Sequence, residues 1–177
     1  ENKDIANEMQ KFYDDWWEDA SKEFRYSYID IFPNISNTIT AHDVQVNSIT
    51  AWDQSVVRRG VPYELGKFNV DFKKSGEYKI TLRRWPKESK LNLRDSINDY
   101  IPARKYWDQQ ASGKSMNITS AFIKIGDKQY NIDLSNNLKS ATININIDSG
   151  KTSLEPAFIL DNGQTSVVFY TDIDFLF

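Results

Sequence analysis

Between Asp4 and Phe24 the apolar residues Ile5, Met9, Phe12, Tyr13, Trp16, Trp17, Ala20 and Phe24 recur at steps of three and four, which aligns them on one stripe of an α-helix. Lys11, Asp14, Asp15, Glu18, Asp19 and Lys22 make up its polar face. A short extended stretch, Tyr26 to Ile31, leads to the turn signal Pro33-Asn34. After Asn37 the period changes from helical to alternating, with β-branched and aromatic residues set between Gly, Asn and Asp turns.

The alternation predicts a strand over Lys67 to Phe72 with Phe68, Val70 and Phe72 on one face. A turn at Lys74-Ser75-Gly76 then leads into Glu77 to Trp85, with Tyr78, Ile80 and Leu82 inward, and the two strands are expected to form a hairpin. Further strands are expected over Ile118 to Ile125, Gln129 to Leu134, Ala141 to Ile147, Ser153 to Leu160 and Val167 to Phe177. Their turns fall at Gly126-Asp127, Asn136-Asn137, Ser149-Gly150 and Asn162-Gly163. The cleanest alternation sets Ala141, Ile143, Ile145 and Ile147 against Thr142, Asn144 and Asn146, as in a sheet with one wet face.

Many short strands beside one helix predict a mainly β fold: an antiparallel β-sandwich, jelly-roll-like, with an N-terminal amphipathic α-helix. Residues 1–36 are the helix and its connector, residues 37–177 the sandwich, and the whole is expected to form one folded unit. The polar segment Pro86 to Ser115, which carries Tyr100, Tyr106 and Trp107, is expected to be a long ordered loop.

Composition narrows the chemistry. With 14% aromatic and 40% hydrophobic residues the chain can bury enough surface to fold, and a net charge of -3 argues against a phosphate-binding, nucleic-acid surface. The absence of cysteine removes thiolate metal sites, disulfides and cysteine nucleophiles. No apolar run approaches the roughly 20 residues that cross a bilayer, so no membrane partner is expected. The sequence opens on Glu1 without signal-peptide character or an initiator methionine, and is expected to be a fragment or processed product.

The one histidine, His42, stands beside Asp43. On a strand the two would point to opposite faces, so a structural role is expected and no metal site is assigned. No Gly-x-Ser-x-Gly elbow and no Gly-rich phosphate loop occur, and no pair among the many carboxylates stands out. Trp52, Trp85 and Trp107, with Arg58, Arg59, Arg83 and Arg84, are residue types that form interaction hot spots or stack on sugars. The same residues could equally complete the core and cover its edges. Arg83 and Arg84 should point to opposite sheet faces, with Arg84 displaced from the core by its neighbours.

Several segments, taken in order, resemble the chain that follows the catalytic domain in bacterial arylsulfatase-type enzymes of the sulfatase family. Tyr13-Asp14-Asp15-Trp16-Trp17 is similar to a Tyr-x-x-Trp-Trp helix end, and Ile39-Thr40-Ala41-His42-Asp43-Val44 to a Leu-Thr-Ser-His-Asp-Trp segment. Trp52-Asp53-Gln54 through Arg58 and Gly60 resembles Trp-x-Gln-x-x-x-Arg-x-Gly. Gly66-Lys67-Phe68-Asn69-Val70, followed by Gly76-Glu77-Tyr78-Lys79-Ile80-Thr81-Leu82-Arg83-Arg84-Trp85-Pro86, is the fullest match. Val44 departs from the family's tryptophan, and the loop from Asn92 to Ser115 is longer than the family's.

The resemblance implies an accessory domain that docks on the sulfatase catalytic domain of the same polypeptide, in a periplasmic or other extracytoplasmic setting, where a sulfated glycan could be met. It implies no enzyme in this chain alone: the formylglycine precursor motif Cys/Ser-x-Pro-x-Arg does not occur, Tyr100-Ile101-Pro102-Ala103-Arg104 carrying tyrosine at that place. Calcium and the catalytic residues belong to the catalytic domain, which leaves no catalytic, cofactor or metal residue here. The docking candidates are His42, Asp43, Trp52, Gln54, Arg58, Arg83, Arg84 and Trp85. The alternative is a carbohydrate-binding module, for which Trp52, Trp85 and Trp107 would be exposed and coplanar.

Overall fold

A computed structural model describes residues 2–22, 27–45, 54–60, 66–99, 102, 112–134 and 139–177. Trp52, Tyr100, Tyr106, Trp107, Phe24 and the expected Asn136-Asn137 turn lie outside them.

The chain opens with helix α1 (Lys3–Ala20) and continues into two sheets. The larger sheet runs β1 (Ile29–Ile31), β3 (Phe68–Phe72), β8 (Gly150–Leu160), β5 (Ile118–Ile125), β6 (Lys128–Asp133), with β9 (Thr165–Val167) also beside β8. The smaller runs β2 (Asn37–Thr40), β10 (Tyr170–Phe175), β4 (Gly76–Arg83), β7 (Ala141–Ile147). All pairings are antiparallel except β1 with β3. The protein is therefore mainly β and sandwich-like, with an N-terminal helix, and its larger sheet is mixed.

Alternation selects the inner faces. Phe68, Val70, Phe72, Ile123 and Phe158 from one sheet meet Tyr78, Ile80, Leu82 and Ile173 from the other in a single core. Pro156 sits in the middle of β8, between the end of its pairing with β3 at Leu154 and the start of its pairing with β9 at Ala157. That gap in the neighbouring ladder is where a strand tolerates a residue lacking an N–H.

The expected hairpin over residues 67–85 is corrected. β3 and β4 belong to different sheets, so residues 73–75 form a corner that folds one sheet over the other. The apolar faces read from the alternation are right, but they meet across the core, where the Phe72 and Tyr78 rings pack edge to face at 4.9 Å. Gly76 ends the corner at φ 153°, and a Cβ there would lie 2.4 Å from the Phe177 carbonyl oxygen. Likewise, the single strand expected from Val167 to Phe177 is two: β9 lies in the larger sheet, and the chain crosses at Val168-Phe169 into β10 of the smaller. A continuous apolar run carries no mark of which sheet it serves, so alternation could not reveal either crossing.

A second, short helix, α2 (Gln54–Arg59), was not predicted; six residues are too few to show a helical period. Val56 on α2 packs with Ala41, Val167 and Phe169 in a small apolar cluster. Among the described residues no helix is long and apolar enough to cross a membrane.

Candidate functional site

The strand registers bring most of the candidate residues to one end of the sandwich. Tyr170 lies opposite Thr40 on one side and Arg83 on the other, so the turn carrying His42 and the end of β4 carrying Arg83, Arg84 and Trp85 flank the start of β10. α2, with Arg58, packs against the same end through Val56. Gln54 begins α2, though its side chain is outside the described set, as is Trp52.

His42 and Asp43 are not on a strand. They form a single 3-10 turn, Ala41–Asp43, in which Asp43 accepts hydrogen bonds from the Thr40 backbone N–H at 2.9 Å and from Thr40 Oγ1 at 3.0 Å. Asp43 is thereby a capping residue, and the Thr-x-x-Asp spacing was the available signal. His42 is exposed beside it.

Arg83 and Arg84 do point to opposite faces, but neither is displaced from the fold. Arg83 is buried on the outer face of the smaller sheet, where Nε and Nη2 donate to the two carboxylate oxygens of Asp172 at 2.7 and 2.9 Å. Its Nη1 donates to the Trp85 carbonyl at 2.8 Å, and the guanidinium lies 5.1 Å from the Tyr170 ring centroid. Asp172, 2% exposed, also accepts from Thr38 Oγ1 at 2.8 Å, with Lys87 Nζ at 3.6 Å. Burial pushes its carboxyl up, but the hydrogen bonds from Arg83 and Thr38 and the charges of Arg83 and Lys87 outweigh that and hold it below the usual carboxylate range.

A pH dependence follows from that shift. A carboxyl with a depressed folded value binds fewer protons than the unfolded chain does, so its stabilisation is present above about pH 4 and is lost as the pH falls through the folded value. Denaturation midpoints of wild type and Asp172→Asn should differ clearly at pH 6, and the gap should close progressively below pH 4. A gap that does not change between pH 6 and pH 2 contradicts this role.

Arg84 is fully enclosed, at 0% exposure. Its fork donates to the carbonyl oxygens of Val57 at 3.0 Å, Asp95 at 2.9 Å and Lys114 at 2.7 Å, with longer bonds to Arg58 and Leu93. The guanidinium also lies 4.5 Å from the Trp85 ring centroid. Burial pushes its pKa down to about 10, with Asp95 opposing the shift, and it stays charged at neutral pH. One side chain thus ties α2 and both described flanks of the 86–115 loop to the end of β4. Gly60 gives it room: at φ 59°, a Cβ there would lie 2.6 Å from Met116 Cγ and 2.9 Å from Arg84 Nη2.

Trp85 is 4% exposed, and its Nε1–H has no hydrogen-bond partner among the described residues. The exposed, coplanar tryptophan platform expected of a sugar-binding face therefore does not include Trp85. Arg58 is also buried, donating to the Asp99 carbonyl. These side chains act inside the domain, as fasteners, and leave His42 and Lys87 as exposed groups at this end.

Among the described residues the longest run of exposed apolar side chains lies on α1, with Phe32, Ile35, Leu176 and Phe177 exposed elsewhere. Phe12 is 75% exposed, Met9 68%, Ile5 56%, Trp16 53% and Trp17 45%, and α1 buries no residue. Tyr13 and Trp17 stack with ring planes 7° apart at 6.4 Å, and Trp16 tilts against both. Its ends are weakly capped, since Asn2 makes no side-chain cap and the last turn holds no basic residue, while Asp4 in the first turn and the Lys11–Asp15 pair support its body. An 18-residue helix with such ends depends on packing of its apolar face. Periodicity read the stripe correctly but could not show that this chain leaves it uncovered.

At the far end of β4 an open groove of about 360 Å³ lies between the β5–β6 and β7–β8 turns, lined by Asp127, Lys128, Tyr130, Asn146, Asp148 and Lys151 among others. Among the described residues no three His, Cys, Asp or Glu side chains converge as a metal site would require.

No protein-family model matches the chain, and no curated protein matches it. Among solved structures it is similar to a ruminal GH26 endo-beta-1,4-mannanase, at 13% sequence identity and a TM-score of 0.43 over 85% of this chain. The chain spans 27% of the length of that structure.

Proposed function

We propose that this chain is a non-catalytic accessory domain of a sulfatase-type polypeptide, docked on the catalytic domain of the same polypeptide through the aromatic face of α1. The observation that carries this reading is α1 itself: Ile5, Met9, Phe12 and Trp16, large apolar side chains on one helix, are each more than half exposed. Patches of this kind mark interaction sites, and tryptophan and tyrosine are the residues that most often anchor them. The resemblance to sulfatase chains supplies the occupant, and its Tyr-x-x-Trp-Trp element is the centre of the exposed face. Asp14, Asp15, Glu18 and Asp19 border that face, so the receiving groove should be apolar with a basic rim. Arg83, Arg84, Arg58 and Trp85 are buried within this chain and are not part of that face. An extracytoplasmic setting and proximity to a sulfated glycan belong to the same proposal.

The test is a titration of this chain against the separately produced catalytic domain. Truncating a central hot spot removes about 2 kcal/mol or more, so Trp16→Ala and Phe12→Ala should each weaken binding by tenfold or more. The thermal midpoint of the sandwich should not move, because neither side chain is buried in this chain. Unchanged affinity in folded variants would overturn the assignment.

A further inference from the structure

We propose that β7 is a self-recognition edge, through which two copies of this chain pair β7 with β7, antiparallel, about a two-fold axis at Asn144. The inference does not depend on the docking of α1.

It starts from how the sheet edges are protected. An edge strand presents unpaired N–H and C=O groups, and proteins blunt such edges by keeping them short, charging them or covering them. Among the described strands β1 and β9 have three residues and β2 has four, while β6 carries Lys128 at one end and Asp133 at the other. β7 is different. Among the described strands it pairs with β4 alone, runs for seven residues without a bulge in that register, and reads Ala-Thr-Ile-Asn-Ile-Asn-Ile with no charge, proline or glycine. No backbone hydrogen bond beyond the β4 ladder reaches these residues among the described ones.

The sequence of β7 also fits itself. Antiparallel pairing centred on Asn144 sets Ile143 against Ile145 and Ala141 against Ile147 on the core side, and Thr142 against Asn146 on the wet side. Each residue meets one of the same parity, so outward-pointing backbone groups face outward-pointing groups along the whole strand. Just beyond the pairing, Asp148 of one copy falls opposite Ser140 of the other, so the two carboxylates do not face each other. The two four-stranded sheets become one, with an isologous interface. A single strand pair buries less than the standard interface of about 1,600 Å², so the association should be weak and visible only at high concentration.

Cysteine scanning tests the register directly, because the chain has no cysteine of its own. Asn144 and Thr142 are both exposed. In the proposed dimer two Asn144→Cys thiols are direct cross-strand neighbours, whereas two Thr142→Cys thiols lie about 14 Å apart along the strand. Mild oxidation of the whole chain should therefore link N144C at least tenfold faster than T142C. Sedimentation at high concentration should show self-association that Asn144→Lys removes, by placing like charges opposite one another, and that Trp16→Ala leaves intact. Equal cross-linking of N144C and T142C overturns the proposal. So does a chain that is monomeric at every concentration, or association lost in W16A and kept in N144K.

Discussion

Replacing Arg84 by methionine should destabilise the protein by about 4 kcal/mol or more. The change removes a buried cation together with its bonds to the Val57, Asp95 and Lys114 carbonyls, and a buried carbonyl left without a donor costs about 1–3 kcal/mol. It also removes the cation–π contact with Trp85. Methionine recovers some packing, so the loss is less than the sum of those bonds. Arg84→Lys should recover only part of it, since an ammonium group lacks the planar fork that reaches three segments at once. Urea denaturation measures the size, and hydrogen exchange identifies the cause: protection should fall at residues 57–60, 93–95 and 114–116 before it falls in β3 or β4. A loss below about 1 kcal/mol, or one spread evenly over the sandwich, would show that Arg84 is not the fastener described.

Asp172→Ala should cost about 3–5 kcal/mol, because it leaves the Arg83 guanidinium buried with only the Trp85 carbonyl and the Tyr170 ring beside it. The pair itself is worth much less than that figure, since both charges had to leave water to form it. The double variant Arg83→Met with Asp172→Leu should therefore be more stable than Asp172→Ala alone. Chemical denaturation of Arg83→Met, Asp172→Leu and the double variant beside wild type gives the coupling directly. Additive losses would mean that Arg83 and Asp172 do not depend on each other.

Much of the fold was legible in the alternation. Phe68, Val70 and Phe72, and Tyr78, Ile80 and Leu82, are inward as read, because a strand with one buried face must write its burial in steps of two. Which sheet each strand joins was not legible, since β3 and β4 show the same pattern as a hairpin whether they pair or face each other across the core. The arginines failed for a different reason. A charged residue on the core face predicts displacement unless backbone carbonyls from distant segments converge on it, and those around Arg84 come from residues 57, 95 and 114. Asp172, the partner of Arg83, was not singled out, because it reads as one acidic residue in an alternating strand and acquires its partner only through the β4–β10 register. The Thr40-x-x-Asp43 cap was local and could have been read.

The proposed docking of α1 is tested most directly by hydrogen exchange on this chain alone and on a polypeptide that joins it to a sulfatase catalytic domain. Amides of a helix that buries no residue exchange quickly, and burial of its aromatic face should slow them. The account predicts at least tenfold slower exchange across residues 5–17 in the joined polypeptide, with β3 and β4 unchanged. Equal exchange of α1 in the two forms would contradict it.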